Sequence, residues 1–259
     1  MNFVLVHGGW LGGWSWDRVA SDLRERGHQV FAPTLTGSSL TEIGDRLVEA
    51  IRRAGLRDLV LVGHSDGGPV IQYTADRLAN ITQRVVFVDA WVLHDGEAIH
   101  DVLPDPLVEH NLAAAEVSDS VPMEPAVWTG YYTNGGTDED EVDRLVPMPI
   151  GWLTEPITLP CFWNSAFLSG YVHLSDDRSG PLHLFREMAR RLGSPRTVES
   201  VGPHEAMLTH PRELADALLD AAGLVPATAT MRHAPTSAAA TRAAHETAAA
   251  RVGVMPETV

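Results

Sequence analysis

The sequence contains no lysine; all 19 cationic side chains are arginine. That absence excludes Schiff-base chemistry, lysine-tethered pyridoxal phosphate and the P-loop lysine. Cysteine is almost as scarce, with Cys161 alone. One thiol makes no intramolecular disulfide and no cysteine-rich metal site, and a lone buried thiol is expected. Arginine is outweighed by 34 acidic residues, for a formal net charge of −15. Nucleic-acid binding needs clustered cations on phosphates, so it is disfavoured. No apolar run approaches the length of a bilayer span. Met1 to Trp10 has no basic region ahead of its short apolar run and does not read as a signal peptide. A cytoplasmic protein without membrane contact is the expectation; oligomeric state stays open.

What is present is an ordinary globular composition, 44% hydrophobic and 20% charged. Phe3 to Val6 reads as a buried strand ended by His7-Gly8-Gly9. Helical spacing follows from about Ser15, with Gly27 as its stop. A strand over 29–32, a helix over 41–54, a strand over 58–63 and a helix over 69–79 come next. Arg84 to Asp89 is another strand. Continuous apolar strands alternating with helices imply a parallel sheet covered on both faces. Periodicity then fails over 91–170, a stretch rich in Pro and aromatics and too long for a bare loop. It is expected to be a mainly helical cap. The pattern resumes with a strand over 171–174, a helix over 181–192, a strand over 196–201 and a helix over 211–222. The core is thus assigned to 1–90 and 171–224, and the Ala- and Thr-rich 225–259 is expected to be a flexible tail.

Gly63-His64-Ser65-Asp66-Gly67 is a G-x-S-x-G sequence between a strand and a helix, the context that a nucleophile elbow needs. Ser65 must stand on a sharp, strained turn, and the glycines remove side chains that would block it. A phosphate-cradling loop is set aside, since neither a Gly-Lys-Ser/Thr ending nor G-x-G-x-x-G spacing is present. Gly9, in the turn after the first strand, and Asp66 are the candidate oxyanion donors through their backbone N–H groups. His7 and His64 are expected to hydrogen-bond locally and shape the two turns.

A serine nucleophile needs a base, and the base needs an orienting carboxylate. His204, in Gly-Pro-His-Glu after the last strand, is the candidate base. Asp176 and Asp177 end the preceding strand, and Asp89 ends an earlier one; all are candidate acids. Metal binding by these residues lacks any H-x-x-x-H or H-E-x-x-H spacing, so neither metal nor cofactor is expected.

Phe-Val-Leu-Val-His-Gly-Gly-Trp at 3–10, followed by Gly-Gly-Trp-Ser-Trp at 12–16, resembles the plant methylesterase and hydroxynitrile lyase branch of the α/β-hydrolases, with its bacterial relatives. The likeness spans about Asn2 to Gly223 and is weakest in the cap. It implies an α/β-hydrolase fold with a six-stranded, mostly parallel sheet. It also implies Asp177 as the acid, 27 positions before His204, and Met207 on the pocket wall. The lyases carry a lysine after the base and a threonine where this chain has Gly8; Glu205 stands at the lysine position here. Cyanohydrin cleavage by that route is therefore not expected.

These readings imply a serine hydrolase cleaving a carboxylic ester or thioester of a small apolar or aromatic molecule. Trp10, Trp91, Trp128, Tyr131, Trp152 and Trp163 are candidate pocket residues. The same triad also serves lyase, carbon–carbon hydrolase and acyl-transfer chemistry. A ligand receptor on the same fold is the alternative of another class. Dehalogenase and epoxide hydrolase readings call for a carboxylate in place of Ser65.

Overall fold

The computed structural model describes residues 1–136 and 138–224; the stretch 225–259, expected to be a tail, lies outside the described residues. Strands β1 (Asn2–Val6), β2 (Gln29–Phe31), β3 (Leu59–His64) and β4 (Thr82–Val88) open the chain. A two-residue ribbon, β5 (Ser120–Val121) with β6 (Met148–Pro149), stands apart. Strands β7 (Leu168–Leu174) and β8 (Arg196–Ser200) complete a six-stranded sheet in the order β2-β1-β3-β4-β7-β8. Every pairing within it is parallel. Among the described residues, no helix is long and apolar enough to cross a membrane.

Strand β3 shows why the sheet is buried on both sides. Leu59 and Leu61 face one hydrophobic cluster, with helices Leu40–Arg53 and Gly67–Arg77. Val60 and Val62 face the other, with helices Asp17–Glu25 and Pro211–Ala221. All four side chains are fully buried. Each contributes about 1.5–3 kcal/mol relative to exposure. A parallel strand with helices on both faces must read as an unbroken apolar run, which is what Leu-Val-Leu-Val supplies.

β7 begins three residues before the expected 171. Leu168, Ser169 and Gly170 pair with Arg84, Val85 and Val86. Leu168 is exposed and Gly170 packs against the Ala221 carbonyl, so this part of the strand carries no apolar signal. Between β4 and β7 lie short helical pieces, with Asp105–Ala115 the longest, together with the ribbon. Buried side chains tie this insertion to the helix Gly67–Arg77. The Gln72 side chain exchanges two hydrogen bonds with the Leu93 backbone, at 2.9 and 2.8 Å. Asp76 accepts from the N–H groups of Cys161 and Phe162, both at 2.7 Å. That contact uses the Cys161 backbone and leaves its side chain exposed, so the expectation of a buried thiol is corrected.

The strand order changes direction between β1 and β3, which sets a crevice at the carboxyl ends of the strands. Gly9, Ser65, Asp89, Asp177 and His204 all follow strand ends on that edge.

Candidate active site

Ser65 follows β3 at φ 52°, in the left-handed region. A residue with a Cβ holds that conformation only where its surroundings impose it. Here its N–H donates to the Val88 carbonyl at 3.2 Å, and its own carbonyl accepts from Gly68 at 3.1 Å and Trp91 at 3.3 Å. The flanking glycines are required by space. A Cβ on Gly63 would lie 2.6 Å from the Gly67 carbonyl oxygen, and one on Gly67 would lie 2.7 Å from that of His7.

His204 lies in the loop after β8, and its Nδ1 is 2.6 Å from Asp177 Oδ2. Asp177 Oδ1 accepts from the Ser179 N–H at 2.7 Å. A proton on Nδ1 shared with the carboxylate leaves Nε2 as the free lone pair. Burial alone would lower the His204 pKa; contact with the Asp177 carboxylate overrides it and holds the imidazole above its ordinary value. Burial likewise pushes Asp177 up, but His204 and the Ser179 N–H outweigh it and keep the carboxyl low. Asp89 faces elsewhere. It accepts from the Leu174 N–H at 2.9 Å and sits 3.2 Å from His173 Nδ1. Burial raises its pKa to about 7. Asp176 accepts from the Ser175 hydroxyl at 3.0 Å and the Gly202 N–H at 3.2 Å, so of the three candidates only Asp177 bonds to His204.

His7 meets its expectation. Its Nε2 accepts from the Leu35 N–H at 2.9 Å, and its Nδ1 lies 2.8 Å from the Gly8 carbonyl. Burial lowers its pKa to about 4, so it is neutral. His64 differs from the expectation of local hydrogen bonding. Its ring packs between Trp16 and His204, with centroids 6.4 and 4.5 Å away. This buried ring packs against the His204 imidazole. Among the described residues, His64, His204 and Glu205 bring possible ligand atoms within 4.8 Å of one another. Asp177 holds His204 Nδ1, so an ion there would have to take the Nε2 lone pair.

Gly9 and Trp10 follow β1. Trp10 adopts φ 62°, and its indole N–H donates to the Val121 carbonyl at 2.8 Å, joining this turn to the ribbon. Asp66 is buried, and its Oδ1 accepts from the Trp91 indole at 2.9 Å. Its main-chain oxygen accepts from the Trp152 indole at 3.1 Å.

Ser65, Asp66, His204, Trp10 and Trp91 line one cavity of about 70 Å³. Drug-sized ligands occupy pockets of roughly 300–1,000 Å³. The site is therefore tight for a molecule of that size. Leu103, Leu107 and Met148 of the insertion form part of the wall.

Of the other residues expected at the pocket, Trp128, Tyr131, Trp152, Trp163 and Met207 do not line this cavity. Trp128 is fully buried and stacks on Tyr132 at 5.7 Å. Trp152 braces the elbow through the Asp66 carbonyl, and Trp163 packs on His94 and Phe162. Met207 is fully buried in the cluster beneath the base loop. Tyr131 gives way to its neighbour Tyr132, which lines the cavity edge-on to His204 at 5.3 Å. Phe185, on the helix Leu182–Arg191, also lines it and stacks on His204 at 5.8 Å. Helical phase could not single out Tyr132, because Trp128–Tyr132 is a π-helical turn rather than an α-helix.

Residues 3–217 match the model of the alpha/beta hydrolase family. A carbendazim hydrolyzing esterase of Nocardioides sp. (strain SG-4G) is 29% identical, over 84% of this chain and 98% of the relative. Putative methylesterase 14 of Arabidopsis thaliana is 26% identical, over 85% of this chain and 71% of the relative. Among solved structures, an extracellular alpha/beta-hydrolase from a Paenibacillus species, described as sharing structural and functional homology with tobacco salicylic acid binding protein 2, superposes with a TM-score of 0.79. It is 26% identical and covers 85% of this chain and 98% of its own. Polyneuridine aldehyde esterase, at 21% identity, TM-score 0.69 and 85% and 98% coverage, shares the fold.

Proposed function

The chain belongs to the alpha/beta hydrolase family, and from that premise we propose that it is a serine esterase acting through an acyl-enzyme on small apolar or aromatic carboxylic esters or thioesters. The observation that carries this reading is His204, paired with Asp177 at 2.6 Å and lining one cavity with a Ser65 held at φ 52°. The esterase names among its relatives support it.

Ser65 Oγ attacks the ester carbonyl carbon, and its proton passes to His204 Nε2. Asp177 holds the tautomer and stabilises the imidazolium. The backbone N–H groups of Gly9 and Asp66 receive the tetrahedral oxyanion. The intermediate collapses, the C–O bond to the alcohol breaks, and His204 returns the proton to the leaving oxygen. Water then attacks the acyl-enzyme with His204 again as base, releasing the acid and free Ser65. Leu103, Leu107 and Phe185 favour an apolar substrate body, since the cavity wall they form offers it no polar partner.

A small-molecule partner and a cytoplasmic site of action are parts of the proposal; cell fractionation tests the second. For the chemistry, a short-chain aryl ester at high enzyme concentration should give a burst of phenol equal to the enzyme present. Ser65→Ala should abolish both burst and turnover. Steady turnover that survives this substitution would refute the mechanism.

A further inference from the structure

The insertion lines the reaction cavity mostly with apolar side chains, among them Leu103, Leu107, Met148 and Leu153. Trp91 commits its indole N–H to Asp66, and Tyr132 stands edge-on to His204. Asn111 is the remaining polar side chain that the insertion brings to this wall. It stands one helical turn after Leu107 on the helix Asp105–Ala115, so the two share a face, and both line the cavity. Asn111 is only 7% exposed, and among the described residues its carboxamide has no hydrogen-bond partner. Buried amides are ordinarily paired, and one left unpaired destabilises the fold. Leucine has a similar volume and would continue the apolar wall without burying a polar group. An unpaired carboxamide at the mouth of the chemistry therefore marks a place that a ligand completes.

The carboxamide also sets what that ligand must offer. Oδ1 accepts and Nδ2 donates, side by side. A carboxylate offers acceptors alone, and Asp66 already brings one carboxyl into the cavity. An ammonium offers donors alone. A neutral edge with one donor beside one acceptor satisfies both groups of Asn111 at once, the way asparagine reads the edge of adenine. Primary amides, lactams and amino-substituted nitrogen heterocycles have such an edge.

We propose that Asn111 is a specificity-determining residue, which selects esters carrying a neutral donor–acceptor edge on the part of the molecule that does not react. This rests on the serine-esterase reading of the same cavity and narrows its substrate class. The apolar body packs on Leu103, Leu107 and Phe185, while the edge pairs with Asn111 and fixes how the ester lies over Ser65. A wholly apolar ester leaves the carboxamide unpaired and is discriminated against for that reason.

The test uses the full chain and matched aryl esters that carry either a carbamoyl or an isopropyl group. The group is placed meta or para, on the acyl side (p-nitrophenyl benzoates) or on the phenol side (phenyl acetates). The quantity read is the ratio of kcat/KM for carbamoyl over isopropyl within each pair, in wild type and in Asn111→Leu. Comparing the two proteins cancels the intrinsic reactivity of the esters. In at least one pair the ratio should fall by about tenfold or more in Asn111→Leu, the size expected for leaving a buried polar group unpaired. Ratios unmoved in every pair would overturn the proposal. Urea unfolding reads the competing structural role. Asn111→Leu should be at least as stable as wild type, since it removes an unpaired polar group. Asn111→Ala, which adds no bulk, should shift the ratio the same way and decides if Asn111→Leu folds poorly. Destabilisation of both variants with an unmoved ratio would make Asn111 a packing residue. Fluorophosphonate labelling of wild type separates the two failures. An unlabelled Ser65 removes the esterase reading itself, whereas a labelled Ser65 with unmoved ratios removes only the role of Asn111.

Discussion

The sheet and the insertion between β4 and β7 are built on different terms. The sheet holds its reactive groups with backbone geometry: strand ends fix Ser65, Asp177 and His204, and fully buried apolar residues on both faces hold the strands. The insertion is short helical pieces and a two-residue ribbon, fastened by polar side chains such as Gln72 and Asp76 and by buried apolar residues such as Ile99, Leu153 and Ile157 that join the cluster on one face of the sheet. It supplies the apolar wall of a cavity too tight for a drug-sized molecule. Under the proposed esterase reading, the wall adapts to the substrate while Ser65, Asp177 and His204 keep the positions set by the strand ends.

The two acids near the site give the sharpest way to break this comparison. Asp177→Asn should lower kcat by about 10⁴-fold, because the imidazole loses the partner that fixes its tautomer. Asp177 also raises the His204 pKa, and the base works only when neutral. Activity is therefore lost as pH falls through that raised value, and Asp177→Asn should move this acid limb downward. Asp89→Asn should leave kcat within about tenfold, since Asp89 faces His173 and Leu174 rather than the base. Steady-state kinetics across pH compare the two, and a larger loss at Asp89 would reverse the assignment.

Next in size is the contrast in stability. Leu61→Ala, at a fully buried sheet position, should cost about 2–5 kcal/mol in urea unfolding. Leu107→Ala, 41% exposed on the cavity wall, should cost under about 0.5 kcal/mol. It should instead change KM among esters of different acyl length. Equal destabilisation at both positions would mean that sheet and insertion form one cooperative core.

Glu205 gives a contrast that appears only as pH rises. Burial raises its pKa from 4.5 to about 8, and Oε2 has no hydrogen-bond partner. Between those values the folded state holds a proton that the unfolded state releases, so this group makes stability fall as pH rises. Glu205→Gln should remove that fall. Its melting temperature should exceed that of wild type at pH 9 and match it near pH 5.

These contrasts also mark how much could be read from the chain. The sheet was legible because a strand buried on both faces must be continuously apolar, as Leu59 to Val62 is. The elbow was legible because the glycines around Ser65 answer to steric demands that few other residues meet. Asp177 was implied only by likeness to known hydrolases; the strand-end reasoning admitted Asp89 equally, and the 2.6 Å contact distinguishes them. The start of β7 was hidden by the exposed Leu168 and by Gly170. Cavity residues in the insertion were obscured because aromatic composition does not reveal direction. Trp128 and Trp163 turn to core packing, while Tyr132 turns inward from a π-helical turn.

The most direct measurement is mass spectrometry of peptides after fluorophosphonate treatment of the full chain. The account predicts one stoichiometric adduct, on the peptide carrying Ser65, lost in Ser65→Ala and slowed in His204→Ala. An adduct on another residue, or undiminished labelling of Ser65→Ala, would contradict it.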